Sequence, residues 1–215
     1  MRNRFDRQLK NLNDGLIEMG SMIEKSIEKA LVALVTQNVE KAKEVIAFDL
    51  EIDRQEREIE SLCMKLLLQQ QPVARDLRLI SSALKMITDM ERIGDQSADI
   101  AELAIMMSEK HYIKELKHIS QMGQETMVMV IASVDAFVKK DVEMAQKVLT
   151  QDDIVDDYFS KMKEGIISMI AKNPEDGEFA LDLLMIAKYF ERIGDHATNI
   201  AEWVIYSVTG EHKEA

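Results

Sequence analysis

Two helical-looking stretches of this chain carry acidic residues in a pattern that could hold cations. The first is "MERIGDQSADIAE", Met90–Glu102, and the second is "FERIGDHATNIAE", Phe190–Glu202. At about 100° per residue, Glu91, Asp95, Asp99 and Glu102 share an arc of about 80° on a helix surface. The second copy places Glu191, Asp195, Asn199 and Glu202 in the same way. Like charges one turn apart repel on a single helix. If such a stripe meets another acidic surface away from water, the carboxylates must protonate, pair with cations or bind metal. A set of oxygen ligands suits Mg²⁺, Ca²⁺, Mn²⁺ or iron, whereas zinc normally recruits Cys or His.

A second acidic element lies upstream of each stripe. The apolar row Ala42, Val45, Ile46, Ile52, Ile59, Cys63, Leu66 is interrupted at Asp49, where an apolar residue is expected. The row Ala145, Val148, Leu149, Val155, Phe159, Met162 is interrupted in the same place by Asp152. Asp53 and Asp156 follow one turn later, so each half carries D-x-x-x-D on this helix and E-x-x-x-D on the next. A solvated acidic edge explains one such stripe, with Arg92 offsetting Asp95 and Arg192 offsetting Asp195. It explains less well two facing stripes written twice. Gly94 and Gly194 interrupt the third helices at a cost of about 1 kcal/mol each relative to alanine. Close approach of a neighbouring helix is the simplest reason for them. His196 follows Asp195 but is replaced by Gln96 in the first copy, and it lies five residues from Glu191. It therefore does not make the Glu-x-x-His pair of di-iron bundles and is read as a neighbour of the site.

The helices that must position these residues follow from the repeat. Met19 onward aligns with Met122 onward at an offset of 103 residues, and the later motif aligns at an offset of 100, Glu91 with Glu191. Amphipathic periodicity gives helices over 6–37, 39–70 and 74–109, then 113–139, 142–171 and 177–208. Asn38 and Asp141 are the matching N-caps. Pro72 and the "NPEDG" segment at 173–177 are the matching breaks. The expected fold is all-α. It comprises two tandem three-helix bundles related by duplication, with up-down-up, spectrin-repeat-like helices over residues 1–110 and 111–215. Breaks at equivalent places argue against one continuous coiled coil.

Composition narrows the function. A net charge of −12 argues against nucleic acid and against an unaided anionic membrane, and favours cations or basic protein surfaces. The one cysteine, Cys63, sits among apolar helical residues and reads as a packing residue. The N-terminus lacks the apolar core of a signal peptide, and no stretch has the length and apolarity of a membrane span. The expectation is a soluble cytoplasmic protein with no direct membrane insertion.

The doubled "ERIGD…IAE", the "QQQPVARDLR" segment at 69–78 and the closing "TGE" at 209–211 resemble the PhoU family of phosphate-transport regulators. The resemblance covers essentially the whole chain. It implies a multinuclear metal cluster in each bundle. On this sequence the ligands map to Asp49, Asp53, Glu91 and Asp95, and to Asp152, Asp156, Glu191 and Asp195. Asp99 and Asn199 are candidate additional ligands, and their difference in charge makes unequal sites an expectation. Iron is the leading metal, with Mg, Mn, Ca or Zn as alternatives. The resemblance also implies a regulator rather than an enzyme. Such a protein links the ATPase subunit of the phosphate ABC transporter to a phosphate-sensing membrane histidine kinase. It restrains phosphate uptake and the starvation response, acts as a homodimer, and reaches the inner face of the membrane through these partners. With its acidic surface, the chain is expected to read phosphate through the transporter unless bound metal inverts the local potential. The second half has no counterpart of Arg75 and Arg78, so contacts by that segment should be one-sided. The competing readings are a helical scaffold with solvated acidic faces and a carboxylate-bridged di-iron enzyme; the missing Glu-x-x-His pairs count against the latter.

Overall fold

Apolar rows at helical spacing, with few breakers between them, leave the chain little choice but long helices. The computed structural model describes residues 2–69, 73–109 and 116–211. Its helices are α1 (Arg2–Thr36), α2 (Val39–Gln69), α3 (Ala74–Met106), α4 (Leu116–Lys139), α5 (Val142–Lys172) and α6 (Gly177–Thr209). A 3₁₀ turn at Pro174–Asp176 separates α5 from α6, where the "NPEDG" break was expected. The expected start at 113 and the break at Pro72 lie outside the described residues. α1 begins earlier than expected, and α3 ends earlier, at Met106.

The duplication extends to the backbone of the turns. Gln37 and Lys140 both adopt left-handed conformations, with φ of 52° and 55°. After each, the next amide donates to a carbonyl five residues back: Asn38 to Ala33 at 3.0 Å and Asp141 to Ala136 at 2.9 Å. This closes α1 and α4 in the Schellman manner. The same two residues then open the next helices. Asn38 Oδ1 accepts from the Lys41 amide at 3.0 Å, and Asp141 Oδ1 accepts from the Met144 amide at 2.9 Å. One residue thus closes one helix with its backbone amide and caps the next with its side chain, at the point where α2 and α5 return.

Each half packs as three mutually contacting helices, and the halves then join: α3 lies against α6, and α1 against α4. A single apolar cluster runs through both bundles. The α2 row Ala42, Val45, Ile52, Ile59, Cys63 and Leu66 is buried, as are Ala145, Val148, Val155 and Met162 on α5. Burial pushes the Cys63 thiol up to about 12, so it is an inert packing residue. No helix among the described residues is long and apolar enough to cross a membrane.

The "TGE" ending has a local explanation. Gly210 is left-handed (φ 81°) and its amide donates to Tyr206. The Glu211 amide donates to the Thr209 hydroxyl at 3.1 Å. The Arg78 guanidinium carbon would lie 3.4 Å from a β-carbon at Gly210, so a cation covers the carbonyl end of α6, where the helix dipole favours it. Arg75 lines the adjacent cavity with Lys140 and Ser207. The arginine segment thus ties the start of α3 to the end of α6.

Candidate metal centre

The apolar row of α2 turns its one misplaced carboxylate onto α3 at the glycine. A β-carbon on Gly94 would stand 2.9 Å from Asp49 Oδ1 and 3.1 Å from two carbons of Ile52. On the other side, a β-carbon on Gly194 would stand 3.2 Å from Asp152 Oδ1 and 3.5 Å from Val155. In each half, therefore, glycine lets a carboxylate enter the helix seam.

In the first bundle, Asp49, Asp53 and Asp95 each present an oxygen, and these oxygens lie within 4.8 Å of one another. Asp53 also accepts from Arg57 at 3.1 Å. Asp95 accepts from Arg92 at 2.8 Å, and Glu91 lies 3.5 Å from the same arginine. Burial, then the charges of Asp95 and Asp53, push the Asp49 carboxyl up to about 6. Burial and Asp95 raise Glu91. Glu56 belongs to the same field: burial raises it, followed by Glu60 and Asp53.

In the second bundle, burial and then Asp156 and Asp195 push Asp152 up to about 6. Asp195 is raised by burial and Glu191, and is lowered in turn by Lys188. Lys188 forms an ion pair with Glu191. These four acids share one field. Among the described residues, however, only the first bundle brings three such groups within 4.8 Å.

Asp99 and Asn199 are placed differently from the other candidate ligands. The Asn199 amide donates to Asp89 Oδ1 at 3.0 Å, and His196 Nδ1 lies 2.8 Å from the same oxygen. Asp99 faces Tyr189 and Arg192 of α6, which both lower its carboxyl against the effect of burial, while its charge still reaches Asp49. The same pair of positions therefore meets across the bundles twice, Asp89 bonded to Asn199 and Tyr189 facing Asp99, and α3 and α6 run in opposite directions. Neither residue is brought into the cluster of three. Arg192, expected to offset Asp195, instead directs its charge at Asp99 and Tyr189 across the seam. Lys188 fills the expected role.

The donor set can be tested against a cation on one atom. Asp49 Oδ1 is buried and has no hydrogen-bond partner among the described residues. A buried carboxylate oxygen without a donor is costly. A divalent cation shared with Asp53 and Asp95 would supply the missing charge through oxygen ligands alone, as hard cations prefer. The residues fit a metal.

Fold and site together define the class: a duplicated three-helix-bundle protein with carboxylates gathered at one helix seam of each half. Residues 16–104 and 119–204 each match the PhoU domain. The chain is 36% identical over 209 residues to the phosphate-specific transport system accessory protein PhoU homolog of Clostridium acetobutylicum, covering 96% of this chain and 95% of the relative. It is 37% identical over 205 residues to the homolog of Aquifex aeolicus, with 95% and 93% covered. It superposes on the crystal structure of PhoU from Pseudomonas aeruginosa with a TM-score of 0.90, at 34% identity, over 96% of this chain and all of that one. The crystal structure of the phosphate transport system regulatory protein PhoU from Streptococcus pneumoniae gives 0.88 at 27% identity, over 98% and 100%. The chain belongs to the PhoU family. The names of these relatives describe accessory and regulatory proteins, not enzymes.

Two outcomes follow from the seam. Gly94→Ala would ordinarily favour a helix, but here the added methyl meets Asp49 and Ile52. It is expected to cost about 1–3 kcal/mol by overpacking, and Gly194→Ala less. Urea unfolding reads both, and a stabilised Gly94→Ala protein would contradict the close approach. The second outcome concerns pH. Asp49 and Asp152 titrate near 6 when folded and near 3.8 when unfolded. The folded chain therefore holds more protons between these values. Their contribution to stability is full below the lower value and is lost as pH rises through the upper one. Asp49→Asn is expected to stabilise the metal-free protein at neutral pH and to flatten that loss. An unchanged pH profile of urea midpoints would contradict the assignment.

Proposed function

We propose that this chain is a metal-binding regulatory accessory protein of the phosphate-specific transport system. The observation that carries the metal reading is Asp49 Oδ1, buried without a partner beside Asp53 and Asp95. In the first bundle Asp49, Asp53 and Asp95 would hold the cation, with Glu91 and Asp99 nearby. In the second, Asp152, Asp156, Glu191 and Asp195 would do so, with Asn199 at the margin. Iron is the leading candidate. The bound cation would supply the charge that lets acids on two helices share a seam, so it would stiffen α2 against α3 and α5 against α6.

The transport-system role is supported by the names of the relatives, which describe phosphate-specific transport system accessory proteins. We extend it to a cytoplasmic homodimeric adaptor between the transporter ATPase subunit and a sensor histidine kinase. In this role it restrains phosphate uptake and the starvation response. The acidic surface, with a net charge of −12, suits basic partner surfaces.

Elemental analysis of protein purified without added metal tests the first part. Asp95→Ala combined with Asp195→Ala is expected to lose its metal while keeping the helical circular dichroism of the wild type. Full metal content in that variant, or a metal-free wild type, would contradict the site and favour a scaffold with solvated acidic faces. A pull-down from cells at high and low phosphate tests the second. The transporter ATPase and the kinase are expected in the bound fraction in phosphate-rich cells, and the absence of both would contradict the adaptor.

A further inference from the structure

The two clusters use repeat-equivalent acids, but their neighbours differ. Three residues before Glu91 stands Thr88, whose hydroxyl turns back to the Leu84 carbonyl of its own helix at 3.4 Å. Three residues before Glu191 stands Lys188, ion-paired with that glutamate. On the facing helix, the counterpart of Glu56 at the 103-residue offset is Phe159. Lys188 Nζ stands 5.5 Å from the centre of the Phe159 ring. One exchange removes a carboxylate and provides an aromatic face; the other installs the ammonium that the face receives.

The first cluster also has cations, but they lie on its rim. Arg57 is 69% exposed and Arg92 57% exposed. Ion pairs of that kind contribute little and are readily exchanged. Lys188 is less exposed, and its partner Glu191 is only 14% exposed. A half-buried ammonium on an aromatic face, paired with a nearly buried carboxylate, is held more firmly. It also lowers the carboxyl of Asp195, so its charge reaches beyond Glu191 into the cluster.

We propose that Lys188 is a built-in cation of the second cluster, standing in the negative field that a metal would otherwise fill, so that the two bundles load unequally. This rests on the metal-binding reading above. The first bundle holds its metal tightly. The second takes up metal only as Lys188 leaves Glu191, and gives it back more readily. One bundle thus carries a resident cation and the other an exchangeable one.

Titration of chelator-stripped protein with Mn²⁺, with free Mn²⁺ followed by electron paramagnetic resonance, separates the possibilities. The wild type is expected to show two affinity classes. Asp95→Ala should remove the tight class and Asp195→Ala the weak one. Lys188→Thr, which installs the residue found at Thr88, should tighten the weak class at least about tenfold by removing a like charge. Lys188→Met, which keeps the stem over Phe159, should do the same if the threonine variant folds poorly. Lys139→Thr makes the same charge change at the exposed Asp135 pair and should shift binding by less than about twofold. A weak class unmoved by both Lys188 variants, or moved equally by Lys139→Thr, overturns the proposal while leaving the metal reading intact. Absence of Mn²⁺ binding by the wild type overturns both.

Discussion

Asp49 Oδ1 lies in the seam where α2 meets α3, 2.9 Å from the position that a β-carbon on Gly94 would take, and it accepts no hydrogen bond from the described residues. Much of the molecule can be understood from that contact. Folding brings an acid into an apolar row because the row continues on both sides of it, through Val45 and Ile52, and their burial holds the backbone in register. The neighbouring helix can come close only without a side chain at Gly94. Burial there, and the charges of Asp95 and Asp53, raise the proton affinity of Asp49. On the proposed metal-binding reading, such a site would trade stability of the empty protein for readiness to take a cation.

Duplication supplies the framework, and divergence supplies the specialisation. The turn after α1 and the turn after α4 share a left-handed residue, a five-residue backbone bond and a capping side chain. The turns therefore send α2 and α5 back in the same way, although only the first bundle brings three acids within 4.8 Å among the described residues. The halves are not independent, because α3 and α6 pack along each other and Asp89, Asn199, Tyr189 and Asp99 join them. Asp99 acts on both sides: it faces Tyr189 and Arg192 of α6 while its charge reaches Asp49. On the proposed metal-binding reading, a change in cation loading at one seam would thus have a short physical route to the central helix pair.

What was legible in the sequence was what local periodicity determines. Asn38 and Asp141 could be read as caps, because capping needs only a few residues. Asp49 and Asp152 could be read as misplaced, because an apolar row defines where it should continue. Gly94 and Gly194 could be read as points of close approach. The packing of α3 on α6 was not legible, since each helix also has core faces toward its own bundle and periodicity does not say which neighbour a face meets. Asp99 and Asn199 show the consequence: they share the stripe of the proposed ligands, but they also meet Tyr189 and Asp89 of the other bundle. Glu56 was missed for the opposite reason. Comparing the repeats favours positions that match, and its counterpart is Phe159. Arg192 was assigned to its own helix, although its charge is directed at the other bundle.

The central claim is that the orphaned oxygen of Asp49 is a metal ligand. A crystal structure of protein purified with its native metal, with anomalous diffraction measured at the metal edge, tests this most directly. The expected result is a peak at bonding distance from Asp49 Oδ1, about 2.0–2.6 Å for a hard cation on oxygen, shared with Asp53 and Asp95. An anomalous peak elsewhere, with Asp49 Oδ1 still unligated in the seam, would contradict the account.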